Sequence, residues 1–167
     1  MSRPFVGAAT LGGRLSGGLD NFRHMARPSD DIERAHLRDP TDETFHTHRY
    51  APEEEVAGLL RRFWIPVWSV PPGEQAVQKV LQYPICLAVT TPAYARFAGP
   101  NRGLSTTVLA GRAWAFGAMF QPAAGWLLLG RPVSTLTDSF VDLEDVPRLR
   151  GLTEAWRRIM DADPDDP

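Results

Sequence analysis

Along residues 113–120 the chain alternates large and small side chains, with Trp114, Phe116, Ala118 and Phe120 on one face of an extended segment and Ala113, Ala115, Gly117 and Met119 on the other. The pattern predicts a buried strand with one bulky side and one nearly bare side. Gln121-Pro122 should end it, because proline donates no ladder hydrogen bond yet suits the first turn of a helix. A short apolar helix over 123–129 is predicted next, stopped by Gly130 with Pro132 just beyond.

Upstream, Val56, Leu59, Leu60 and Phe63 fall at i, i+3, i+4 and i+7, with Glu53, Glu54 and Glu55 before them and Arg61 and Arg62 near the end. This spacing predicts an amphipathic helix over 52–63, its charges matched to the helix dipole. Strands are predicted over 64–70, 74–81, 84–90, 94–98 and 104–109, separated by turn residues such as Pro71-Pro72-Gly73 and the run from Gly99 to Gly103. Pro66 marks the first of these as an edge strand. A second amphipathic helix is predicted over 145–160, with Leu149, Leu152, Trp156, Ile159 and Met160 as its apolar stripe; Gly151 costs it about 1 kcal/mol relative to alanine. Short turns between strands make the sheet antiparallel, so the expected fold is α+β, an antiparallel, partly closed, cupin-like sheet with flanking helices.

Gly111-Arg112, Phe116-Gly117, Phe120 and Pro122 are followed by Leu129-Gly130, then Pro132-Val133-Ser134, Leu136-Thr137-Asp138 and Leu143-Glu144-Asp145-Val146; Trp64, Gln78, Val80, Leu81 and Pro84 precede them. This set resembles the N-terminal effector domain of a subfamily of AraC-type bacterial transcription regulators, over about residues 50–147. The resemblance implies a cytoplasmic ligand-sensing and dimerisation domain that reaches DNA only through a downstream helix-turn-helix pair, which this sequence does not contain. The chain is then either a sensor separated from that part or a stand-alone relative. The relatives carry a basic residue at or beside Met119 and Gln121, and a Gly-Gly pair where Ala123-Ala124 stands here, so a ligand meeting those positions should differ from theirs.

Composition fits one soluble domain. The chain has 167 residues, 43% of them hydrophobic and 23% charged, and a net charge of −2 gives no general attraction to nucleic acid or to a membrane. The single cysteine, Cys86, sits in an apolar run, which excludes a disulfide framework and suits a cytoplasmic setting. No apolar run is long enough for a membrane span. Residues 1–48, glycine-rich and without periodicity, read as a flexible segment, 49–160 as the sensing and dimerisation domain, and 161–167 as the start of an acidic linker.

Between Val56 and Thr137 Glu74 is the only carboxylate, and all four histidines lie upstream. Paired carboxylates, an acid–base dyad and a metal-binding His/Glu set are therefore missing from the predicted sheet, which argues against an enzyme and for no cofactor. His46 and His48 share one face of an extended segment, as a solvated pair or as two metal ligands, and Cys86 reads as a small buried hydrophobe more than a nucleophile. The same stretch holds seven basic residues, of which Arg112 is the best candidate to hold an anionic group. With the bare strand face and the many aromatics, this leaves Trp64, Trp68, Arg112, Trp114, Phe116, Gly117, Met119, Gln121 and Trp126 as candidate ligand-binding residues for a small apolar or aromatic effector. Homodimerisation is expected through the helix over 145–160, because its stripe is wide for one sheet edge. A stand-alone small-ligand-binding protein, or a small enzyme of β-barrel type, is the alternative. Elemental analysis of protein purified without added metal should find no stoichiometric zinc or iron.

Overall fold

The computed structural model of the chain describes Phe5–Val6, Leu37 and residues 42–81 and 83–162. Ten strands are found among them: β1 (Phe5–Val6), β2 (Phe45–Tyr50), β3 (Leu60–Ser69), β4 (Ala76–Val80), β5 (Leu87–Thr91), β6 (Tyr94–Ala98), β7 (Ser105–Leu109), β8 (Arg112–Trp114), β9 (Phe116–Phe120) and β10 (Phe140–Asp142). Two α-helices, α1 (Ala124–Leu129) and α2 (Thr153–Asp161), and four 3-10 turns are the other elements among the described residues. Seven strands form an antiparallel sheet in the order β10-β6-β5-β9-β3-β2, with β8 also paired to β3; β1, β7 and β4 form a second, three-stranded sheet. The fold is α+β, as the pattern implied, but the large sheet stays open between β2 and β10 and does not close into a barrel.

β3 is an interior strand, paired with β2 on one side and with β8 and β9 on the other, not an edge. It is apolar on both sides, with Phe63, Ile65 and Val67 alternating with Trp64, Pro66 and Trp68, which suits a strand covered on both faces. Pro66 is accommodated because a strand residue's N–H and C=O point to the same edge. The Pro66 carbonyl accepts from the Ala115 N–H at 3.1 Å, so its missing donor faces Ala115, the residue at which β8 and β9 are interrupted. The missing N–H and the break in the facing strand coincide.

The helix expected over 52–63 does not form. Only Glu54–Val56 makes a 3-10 turn, and the chain enters β3 at Leu60. Gly58 weakens a helix there, and the following apolar residues gain more as a strand paired on both edges than as one face of a surface helix. Val56 and Leu59, expected to be buried, are exposed. A register shift between Leu60 and Arg62 makes Arg61 an extra residue, after which Arg62 lies opposite Met119, only 2% exposed.

The alternation over 113–120 is observed, and the two faces of the sheet build two cores. On the first face Trp114, Phe116, Ala118 and Phe120 join Tyr50, Ile65, Ala88 and Phe97 beneath Leu128 and Leu129 of α1, Leu136, Leu143, Val146 and Leu149, and Trp156 of α2. Ring centroids lie 5.5 Å apart for Phe63–Phe116 and 5.6 Å for both Phe97–Phe120 and Phe116–Trp156. The second core, Phe45, Trp68, Val70, Leu109, Ala113 and Ala115, joins the large sheet to the small one through Leu109 of β7.

α1 ends where expected, at Gly130 with φ 69°, a left-handed cap conformation that glycine adopts without strain. The last helix is shorter than predicted. Residues 145–152 run through 3-10 turns and irregular chain, and regular helix begins at Thr153, past both Pro147 and Gly151. The loop from Gly99 is held to Leu136–Ser139: Asp138, at φ 57°, accepts hydrogen bonds from the Arg102 backbone N–H and Nε, both at 2.8 Å, and these bonds hold its carboxyl below the usual range. β2 crosses the boundary expected at residue 48, while the remainder of that N-terminal segment, apart from Phe5–Val6, Leu37 and residues 42–44, and the acidic stretch after Ala162 lie outside the described residues.

The bare strand face is closed by a neighbouring side chain. Trp64 stands opposite Gly117 in the ladder, and a Cβ added at Gly117 would lie 2.2 Å from the indole, inside any real contact. Gly117→Ala should therefore destabilise the fold by ~1–3 kcal/mol. In a Trp64→Ala background the same change should cost little, and chemical denaturation of the four proteins of this cycle measures the coupling.

Candidate functional site

The residues nominated from sequence do not converge on one cavity. Trp114 and Phe116 lie in the first core; Trp68 is buried in the second, its Nε1–H directed to the Ala110 carbonyl at 3.4 Å. Trp64 covers Gly117, and Met119 is half-buried on the same face, between Arg62 of β3 and Leu87 of β5. Arg112 is exposed at the start of β8, and Trp126 is 57% exposed on the outside of α1. The Gln121 side-chain amide donates to the Ala57 and Leu60 carbonyls at 3.1 and 3.5 Å, fastening the chain that enters β3. Space beside residues 113–120 is occupied by protein: Trp64 at Gly117, and the second core at Ala113 and Ala115.

His46 and His48 do share a face of β2, opposite Val67 and Ile65, but no group of three or more His, Cys, Asp or Glu placed to hold a metal occurs among the described residues. Cys86 is buried against Gly125 of α1, and a Cβ added to that glycine would lie 2.6 Å from the sulfur.

A cavity does occur beside the β5–β6 hairpin. A groove of about 450 Å³, partly open to solvent, runs between the β5–β6 hairpin and α2. Its sheet wall is residues 90–95, its far wall is Thr153, Trp156, Arg157, Met160 and Asp161, and Asp142, Leu143 and Glu144 close one end. The hairpin wall is stiffened by the Thr91 hydroxyl, which accepts from the Ala93 and Tyr94 N–H groups at 3.2 Å each. Tyr94 is held from behind by Arg96, whose guanidinium lies 4.4 Å from the Tyr94 ring centre and 4.1 Å from that of Phe140. Burial pushes the Tyr94 phenol above its ordinary value, and Arg96 draws it partly back.

Two lining residues carry buried polar atoms with no hydrogen-bond partner, the Thr90 hydroxyl and the Trp156 indole nitrogen. Thr90 is 1% exposed and Trp156 8%. Such atoms are rare in folded proteins because each forfeits about 1–3 kcal/mol of hydration. Sequence reasoning passed over both. A threonine ending an apolar strand and a tryptophan in an amphipathic stripe read as packing residues, and the groove's carboxylates, Asp142, Glu144 and Asp161, lie beyond the stretch predicted to hold the sheet.

An open antiparallel sheet covered by short helices on one face, with a groove between the β5–β6 hairpin and α2, defines an α+β domain. A family model described as a domain of unknown function (DUF6597) matches residues 48–142, more than half of the chain, and the protein belongs to that family. The match begins within β2 and ends with β10. No curated protein and no solved structure matches the chain. No helix among the described residues is long and apolar enough to cross a membrane.

Burial raises the Cys86 thiol from an ordinary value of 9.0 to about 11. The folded protein therefore keeps its proton where the unfolded chain has lost it, and stability should fall as pH rises from 9 towards 11, with the thiol's contribution intact below 9. Native protein at pH 8 should be inert to a thiol-modifying disulfide reagent and react fully after denaturation, as absorbance of the released thiolate measures.

Proposed function

We propose that the chain is the effector-sensing and dimerisation domain of an AraC-type transcription regulator, with the effector held in the groove between the β5–β6 hairpin and α2. The observation that carries this reading is that the groove's walls belong to two different elements, the rigid sheet and a terminal helix. A ligand touching both changes the free energy of seating the helix, which is what a sensor must transmit. The resemblance to AraC-type effector domains supports the same reading. Several of its motif residues have structural work here: Gly117 beneath Trp64, Gly130 capping α1, and Asp138 bound to Arg102.

Self-association belongs to the proposal, with one change of emphasis. Leu149 and Trp156 of the nominated stripe are buried in the chain's own core, while Leu152 remains 43% exposed. Any pairing through this helix therefore centres on Leu152 and the outward side of the chain before α2.

A thermal-shift screen of the protein against soluble metabolites, followed by hydrogen exchange on the hits, tests the sensing role. Binders are expected to raise the melting temperature and to slow amide exchange along residues 153–161. A screen without hits, or hits that stabilise the sheet and leave exchange in α2 unchanged, would overturn it.

A further inference from the structure

We propose that α2 is a latch: the helix opens from the sheet as one unit about the turn at Arg150–Leu152, with the rest of the domain still folded, and two buried polar atoms in the seam keep the closed state poised near opening. The latch operates whether or not the groove takes an effector. Few ties hold α2 closed. Trp156 is its one buried residue, Ile159 and Met160 pack on the first core only in part, and no side chain caps its N-terminus. The ion pair of Arg157 with Glu154, at 3.4 Å, lies within the helix and does not hold it to the sheet. The chain just before it is firmly seated, with Leu143, Val146 and Leu149 all buried. Between that anchor and the helix comes Gly151, where an added Cβ would meet nothing within 4 Å, so the backbone has room to turn there.

The seam itself resists closure. Thr90 stands opposite Phe116 in the β5–β9 ladder, so both side chains leave the sheet on one face, and the Trp156 ring lies 5.6 Å from that of Phe116. The Thr90 hydroxyl and the Trp156 indole N–H are thus buried around the same ring, and neither has a hydrogen-bond partner among the described residues. Seating the helix strips water from both groups and returns no bond, whereas opening hydrates both. This penalty opposes the apolar gain of burying Trp156. The sheet side cannot yield instead, because β5 and β9 are paired with each other and with β6 and β3. Opening therefore falls to the helix, as a local unit of low stability on a more stable sheet.

Native-state hydrogen exchange at low denaturant, read by fragment mass spectrometry, tests the latch. Amides of residues 153–161 should exchange about tenfold or more faster than those of β5 and β9, through one common opening with little denaturant dependence, because few residues are exposed. Thr90→Val, close in volume, should slow exchange in α2 about fivefold or more, since closure no longer strands a hydroxyl. Gly151→Ala should slow it about twofold or more by restricting the open hinge. Exchange of α2 at the rate and denaturant dependence of β5 and β9 would overturn the proposal. So would a gradient of rates rising towards Asp161, the mark of fraying, or unchanged α2 exchange in either variant. No metabolite enters this test, so its outcome is separate from that of the screen for effectors.

Discussion

The close approach of Trp64 to Gly117 is the contact from which the rest of the sheet takes its shape. A strand with three small residues on one face, Ala113, Ala115 and Gly117, leaves a trough that water cannot usefully fill and that close packing does not tolerate. The adjacent strand fills part of it by laying an indole across the glycine, in the manner of an aromatic rescue of a glycine in a sheet. The remainder is covered by the three-stranded sheet, whose Leu109 packs with Ala113 and Ala115. For Trp64 to reach Gly117, β3 must lie beside β9, so the strand marked as an edge by its proline is paired on both sides.

That position has consequences in sequence order. A central β3 needs covering on both faces, and the chain supplies different covers: short helices and 3-10 turns over Phe63, Ile65 and Val67, and the small sheet over Trp68 and Val70. It also converts the start of the strand. Residues 60–63, whose spacing suits a helix as well as a strand, become strand because partners exist on both edges, and the Gln121 amide fixes the chain just before them. The Pro66 imide and the break at Ala115 then meet, and the Ala115 N–H donates to the Pro66 carbonyl at that point.

What could be read from the sequence was the local chemistry, and what escaped it was the pairing. Tyr94–Ala98, the alternation over 113–120 and the stop at Gly130 depend on near neighbours, and the structure contains them. The edge role of β3 and the helix over 52–63 depended on which distant strand would compete for those residues, information that period and propensity do not hold, whereas the last helix was cut short by Pro147 and Gly151. The candidate site suffered in the same way. Small residues at 113, 115 and 117 were correctly seen as a missing volume, but whether a ligand or Trp64 occupies it is a matter of register. The groove was invisible because its walls come from residues 90–95, 142–144 and 153–161, which no motif connects.

The placement of the groove gives the proposed sensing role a physical route. A helix of nine residues has little stability of its own, since nucleation costs more than so few hydrogen bonds return. α2 keeps its place through side chains seated on the sheet, Trp156 against Phe116 foremost, and through the chain leading into it, anchored by Leu149 and Val146. Beside Trp156 a groove runs between the helix and the β5–β6 hairpin, so this side of the helix is not fully seated. The hairpin wall cannot easily move to close the gap, being fixed by the Thr91 turn and by Arg96 between two rings. The adjustable wall is thus the helix. On the proposed reading, a ligand that touches both walls binds one setting of α2 better than others, and that difference in affinity is all a sensor needs to convert occupancy into a change of helix position.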